Sequence, residues 1–142
     1  MDNNTELLKM KQEQEIALFN ANNQIGLSII TMGQNAIKSA TLINGGAAVA
    51  LLAFIGNVWD KGVAHNAALL LTQSVAFFAA GVLFASLGAG ATYCCQHLLV
   101  SQYIKTGLWF QCLAIALVIV SYCMFGWASW SAYSAFIIHF LR

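Results

Sequence analysis

Apolar residues run in three long blocks along the chain, and the breaks between them are set by charge. The blocks cover about residues 39–59, 67–94 and 107–141. A helix needs ~20 apolar residues to cross a bilayer, so each block is long enough to span. The third begins "GLWFQCLAIALVIVSYC" and continues to the chain end. At ~1.5 Å per residue it would exceed ~50 Å as a straight helix, against a hydrocarbon core of ~30 Å. The expectation is a third span over residues 107–127, a break in "GWASWSAYS" (Gly126–Ser134), and a helical extension over 128–141.

The segment before the first block has a different pattern. Asn3 followed by Glu6 fits an N-cap with an acid three residues on, and early acids suit the positive end of a helix. From Ile16 to Ile37 there is no charge, yet polar residues recur at helical spacing. At about 100° per residue, Asn20, Gln24, Ser28, Thr31, Asn35 and Lys38 fall within a stripe about 80° wide. Leu18, Ile25, Ile29, Met32 and Ala36 lie opposite. The reading for residues 1–38 is an amphipathic helix with an uncharged polar stripe. Three placements stay open: in the membrane interface, packed on protein with the stripe toward water, or with the stripe lining a passage in an oligomer. Interface helices are usually basic, and this one is not.

Composition turns these blocks into a membrane protein. Of 142 residues, 60% are hydrophobic and 8% charged, where soluble domains carry about 25% charged residues. The mean hydropathy is +0.73. The net charge of +1 gives no electrostatic footprint for nucleic acid. The fold class expected is all-α: one membrane domain over 1–142, with an N-terminal amphipathic helix and three transmembrane helices, the last extended. The polar, mixed-charge N-terminus lacks the layout of a signal peptide, so the spans are expected to drive insertion. Lys9, Lys11, Lys38 and Lys105 fall on one side of such a membrane, Lys61 and Arg142 on the other. Positive charge marks the cytoplasm, which puts the N-terminus inside and the C-terminus outside.

Lipid provides little hydrophobic drive for helix association, so close contact through small residues takes over. Gly46, Ala50, Ala53 and Asn57 share a face of the first span, and Gly81, Ala85 and Gly88 share one on the second. Matching small faces joined by "DKGVAHN" predict a tight hairpin through those residues, with contact between protomers as the alternative. Asn44 lies opposite Gly46. It is expected near the headgroups, or bonded to Gln34, Asn35, Gln111 or another subunit, since an unpaired amide in hydrocarbon is costly. Trp59, Trp109, Trp127, Trp130 and Tyr133 are expected at the membrane–water interfaces, where Trp and Tyr concentrate.

Candidate chemistry changes little. No Asp, Glu, Lys or Arg falls inside the spans as bounded above, so no ion pair or proton relay marks a transport path. His65, His97 and His139 are scattered. Cys94, Cys95, Cys112 and Cys123 read as small apolar helix residues. Acylation of Cys94 or Cys95 and a metal held by Cys94, Cys95, His97 and Cys112 are weaker readings, the second because that spacing fits no standard site. No catalytic residue, cofactor or metal is assigned.

"LINGGAAVALLAFIG", with the polar N-terminal helix and a later "YSAF", resembles small inner-membrane proteins of proteobacteria and their prophages. The resemblance covers about a third of the chain and implies a bacterial inner membrane. Two functions follow as expectations. One is a homo-oligomer that forms or gates a passage, of the holin or phage-defence type. The other is a non-enzymatic scaffold whose residues 1–24 dock a cytoplasmic protein while the spans anchor it in lipid.

Overall fold

The computed structural model describes residues 3–58 and 65–140; Trp59, Asp60, Lys61 and Arg142, named above, lie outside the described residues. Three helices make up the fold: α1 (Asn3–Val58), α2 (His65–Val100) and α3 (Ile104–Phe140). All three are long and apolar enough to cross a membrane. The chain divides into two units, Met1–Asn35 and Ala36–Arg142.

In the first unit every side chain from Glu6 to Asn35 is exposed. Burial therefore distinguishes no face there, and the amphipathic stripe stands on the sequence pattern alone. No break in the helix marks the expected boundary near residue 38, because α1 is one helix of 56 residues; the two units divide between Asn35 and Ala36. Nothing in the sequence forces a stop: there is no proline, and Thr31 and Thr41 return their hydroxyls to the carbonyls of Leu27 and Ile37, at 2.9 and 3.0 Å. Helix persists because an unpaired backbone group in lipid costs more than a glycine or polar residue in the helix.

The second unit is a three-helix bundle. Its core joins Leu51 of α1, Leu71 and Phe78 of α2, and Ala128, Ala132 and Ala135 of α3. Phe54 meets Phe136 edge to face at 4.8 Å, and Phe78 tilts against Phe125 at 5.6 Å. The predicted break at Gly126–Ser134 does not occur; α3 continues through it. Ala128, Ala132 and Ala135 lie at helical spacing and are buried, so packing rewards continued helix where the sequence reads as an interruption. Ser131 and Ser134 satisfy their hydroxyls on carbonyls of Leu70 (3.4 Å) and Trp130 (3.0 Å).

Helices α2 and α3 form an antiparallel hairpin through a three-residue link. Tyr103 N–H donates to Leu98 O (3.0 Å) and Gln102 N–H to Leu99 O (3.1 Å), the paired bonds of a Schellman stop. That stop needs a left-handed residue, and Gln102 supplies it with φ of 65°. Gly107 then sits against Leu99, where a Cβ would come within 2.8 Å of Leu99 Cδ2.

Candidate functional site

Around Asn44 the three helices of the bundle meet in one polar cluster. Asn44 is 0% exposed. Its Nδ2 donates to Ala40 O on its own helix (2.9 Å) and to Ser121 Oγ (3.2 Å) and Ser121 O (3.4 Å) on α3. The Ser121 hydroxyl in turn donates to Gly81 O on α2 at 2.7 Å. Gly81 is where α1 approaches α2: a Cβ there would overlap the Asn44 carboxamide, 2.6 Å from its Cγ. Asn44 Oδ1 has no N–H or O–H donor. It lies against the open side of Gly81, where a Cβ would stand.

This geometry corrects the expected hairpin. The Gly46 face of α1 does not meet the Gly81 face of α2. Gly46, Ala50, Ala53 and Asn57 are exposed, and nothing lies within 4 Å of a Cβ placed on Gly46. The opposite face, with Ala40, Asn44 and Leu51, is buried instead. The small residues of α2 are used, with a different partner. Gly81 and Ala85 are buried, and Gly88 approaches α3, where its Cβ would meet Val118 at 3.4 Å and Ala114 O at 3.5 Å. The physical reason is the amide. Burying Asn44 against Ser121 satisfies a donor that lipid could not, and the glycine needed for close approach is the one opposite Asn44. Asn44 is thus bonded to Ala40 and Ser121 and not to Gln34, Asn35 or Gln111; Gln111 is exposed.

A second surface follows from the first. At about 100° per residue, the side of α1 facing away from Ala40, Asn44 and Leu51 carries Lys38, Leu42, Gly46, Val49, Ala53 and Gly56. All six are exposed, Leu42 and Val49 at 73% and 67%. Lys38 also closes the polar stripe read from the sequence. The other stripe residues, Asn20, Gln24, Ser28, Thr31 and Asn35, belong to the first unit and are exposed.

Depth can be read from the bundle. Gly81 and Ser121 stand near the middle of helices 36 and 37 residues long. Trp109 and Trp127, 80% and 65% exposed, are ~27 Å apart along α3, close to the ~30 Å hydrocarbon thickness. Trp130 and Tyr133 extend that upper aromatic group, their rings 6.2 Å apart. The Asn44 cluster therefore lies between those aromatic groups, near the middle of α2 and α3. Among the cysteines, Cys95 is buried, Cys94 half-buried, and Cys112 and Cys123 exposed; all four are free. An apolar groove of about 490 Å³ between the helices is lined by Ala47, Leu51, Phe54, Phe78 and Ala132, and offers a ligand little beyond apolar contact. No protein-family model, curated protein or solved structure matches the chain.

Proposed function

We propose that this chain assembles with copies of itself in a bacterial inner membrane, N-terminus in the cytoplasm, and forms or gates a passage without enzymatic activity. One observation carries the reading: the exposed face of α1 in the bundle is made of Lys38, Leu42, Gly46, Val49, Ala53 and Gly56, opposite the face held by α2 and α3. A lysine and three small residues make a poor lipid-facing surface. They suit a helix turned toward an axis, with small residues leaving width and Leu42 a narrow apolar point. Hydrophobic constrictions of that kind gate pores by dewetting. The exposed Leu87, Leu113, Ile115 and Ile119 of α2 and α3 suit the lipid side of the same assembly. The resemblance of "LINGGAAVALLAFIG" supports the bacterial setting.

Induced expression in a bacterial host, followed with a potential-sensitive dye, tests this. Depolarisation is expected, and it should weaken when Asn20, Gln24, Thr31 or Asn35 is changed to leucine. Full membrane potential at high expression would overturn the proposal.

The exposure of every side chain from Glu6 to Asn35 also favours the scaffold reading, in which residues 1–24 dock a cytoplasmic protein. A stoichiometric partner recovered with the full chain, and lost on deletion of residues 1–24, would decide for it.

A further inference from the structure

Lys38 is the one described charge set deep in the bundle, and its depth is fixed by its distance from Asn44. It precedes Asn44 by six residues, ~9 Å along the helix. Half of a hydrocarbon core is ~15 Å, so a bundle centred in the bilayer at the Asn44 cluster holds the Lys38 backbone within it. Its neighbours at the same depth agree. Six residues after Gly81 on the antiparallel α2 is Leu87, and six before Ser121 on the parallel α3 is Ile115; both are exposed, at 59% and 55%. The turn is held there, since Tyr122 donates its hydroxyl to Ala36 O at 3.3 Å. The sequence boundary that put Lys38 outside the first span thus shifts.

A cation at this depth is costly unless it pairs, reaches the interface or faces water. No acid is near it along α1; the described acids are Glu6, Glu13 and Glu15, in the first turns of the helix. Lys38 is exposed and lies on the face turned away from α2 and α3. In the sequence, the stripe residues Thr31 and Asn35 that precede it are uncharged and polar. Toward the C-terminus the next residue of the exposed face is Leu42.

We propose that Lys38 side chains from several copies form a ring of positive charge just below the Leu42 constriction, and that the permeant species are small inorganic anions. This rests on the passage proposed above. Rings of lysine or arginine are how pores favour anions. Residues 16–58 of α1 carry no acid, which leaves Lys38 to set the sign over that stretch.

The test is the full-length protein in planar bilayers under a potassium chloride gradient. The unmutated chain should conduct, with a reversal potential displaced toward that of chloride. Lys38→Arg should keep that displacement, Lys38→Gln should bring it near zero, and Lys38→Glu should reverse its sign. The unmutated protein needs no variant to fold, so its own reversal potential already decides the sign of selectivity. Conductance that favours potassium, or that is equally anion-selective in Lys38→Gln, would overturn the role of Lys38 and leave the passage standing. The second result is what a lysine reaching lipid phosphates would give. No conductance at any protein density would overturn both.

Discussion

Asn44, Gly81 and Ser121 show how one amide organises a membrane bundle. Each is unremarkable alone: an asparagine near a span start, a glycine in an apolar run, a serine among large side chains. Together they bring three backbones to one point. Interhelical hydrogen bonds in membranes average only about 0.6 kcal/mol, so their main effect here is on register: a shift of one residue would strand the amide in hydrocarbon. Gly81→Ala adds a methyl where the Asn44 carboxamide sits and should destabilise the fold by about 1–3 kcal/mol, the usual range for overpacking. Asn44→Ala in the same chain should recover part of that loss. Unfolding of the two single variants and the double variant in detergent gives the cycle; strict additivity would refute the contact. Gly46→Ala, with open space around it, should stay within about 0.5 kcal/mol of the parent. Gln102 offers a gain. Its φ of 65° strains a side chain that glycine lacks, so Gln102→Gly should stabilise by about 1 kcal/mol, read as a higher thermal midpoint.

At the scale of the element, α1 presents two unlike faces within the bundle. One is held by Ala40, Asn44 and Leu51; the other runs from Lys38 through Leu42 to Gly56 and is bare. The passage reading makes Leu42 the sensitive position on the bare face. Leu42→Ser should raise conductance or leak, because a hydroxyl keeps water in a constriction that leucine dries, while stability changes little at an exposed site. Single-channel recordings beside unfolding curves check both halves, and unchanged conductance would count against the gate. Helix α3 teaches a related lesson. Gly126 and the serines after it read as a break, yet buried Ala128, Ala132 and Ala135 keep the helix going. In lipid, small residues mark contact more often than they mark an end.

For the whole molecule, the proposed assembly is the property to measure. When copies associate, the bare face of α1 is expected to turn from lipid toward the shared axis, where its small residues leave room. Detergent-purified protein should therefore run as a homo-oligomer, with Gly46→Leu shifting it toward monomer without loss of helix. Mass photometry or cross-linking beside circular dichroism measures the two effects. A monomer at all concentrations would remove the basis for a passage. Reducing agent should leave that assembly unchanged, since the four cysteines are free and the helices are joined by packing and hydrogen bonds.

Composition and the spacing of charges already determined that this chain is helical and made for lipid. With 8% charged residues no water-facing surface can be built, and in hydrocarbon the backbone must bond within its own helix. The small residues of α2 could be picked out too, since their spacing is a property of a single helix. The sequence did not decide which face of α1 meets them. Two faces competed, one rich in small residues and one bearing Asn44, and periodicity ranks neither above the other. Only the tertiary structure placed Ser121 opposite Asn44 and a glycine between them, and that single pairing turned the face of Lys38 and Gly46 outward. The reason is that hydrogen-bond satisfaction in lipid depends on residues 37 and 77 positions away along the chain, and no local pattern records such a match.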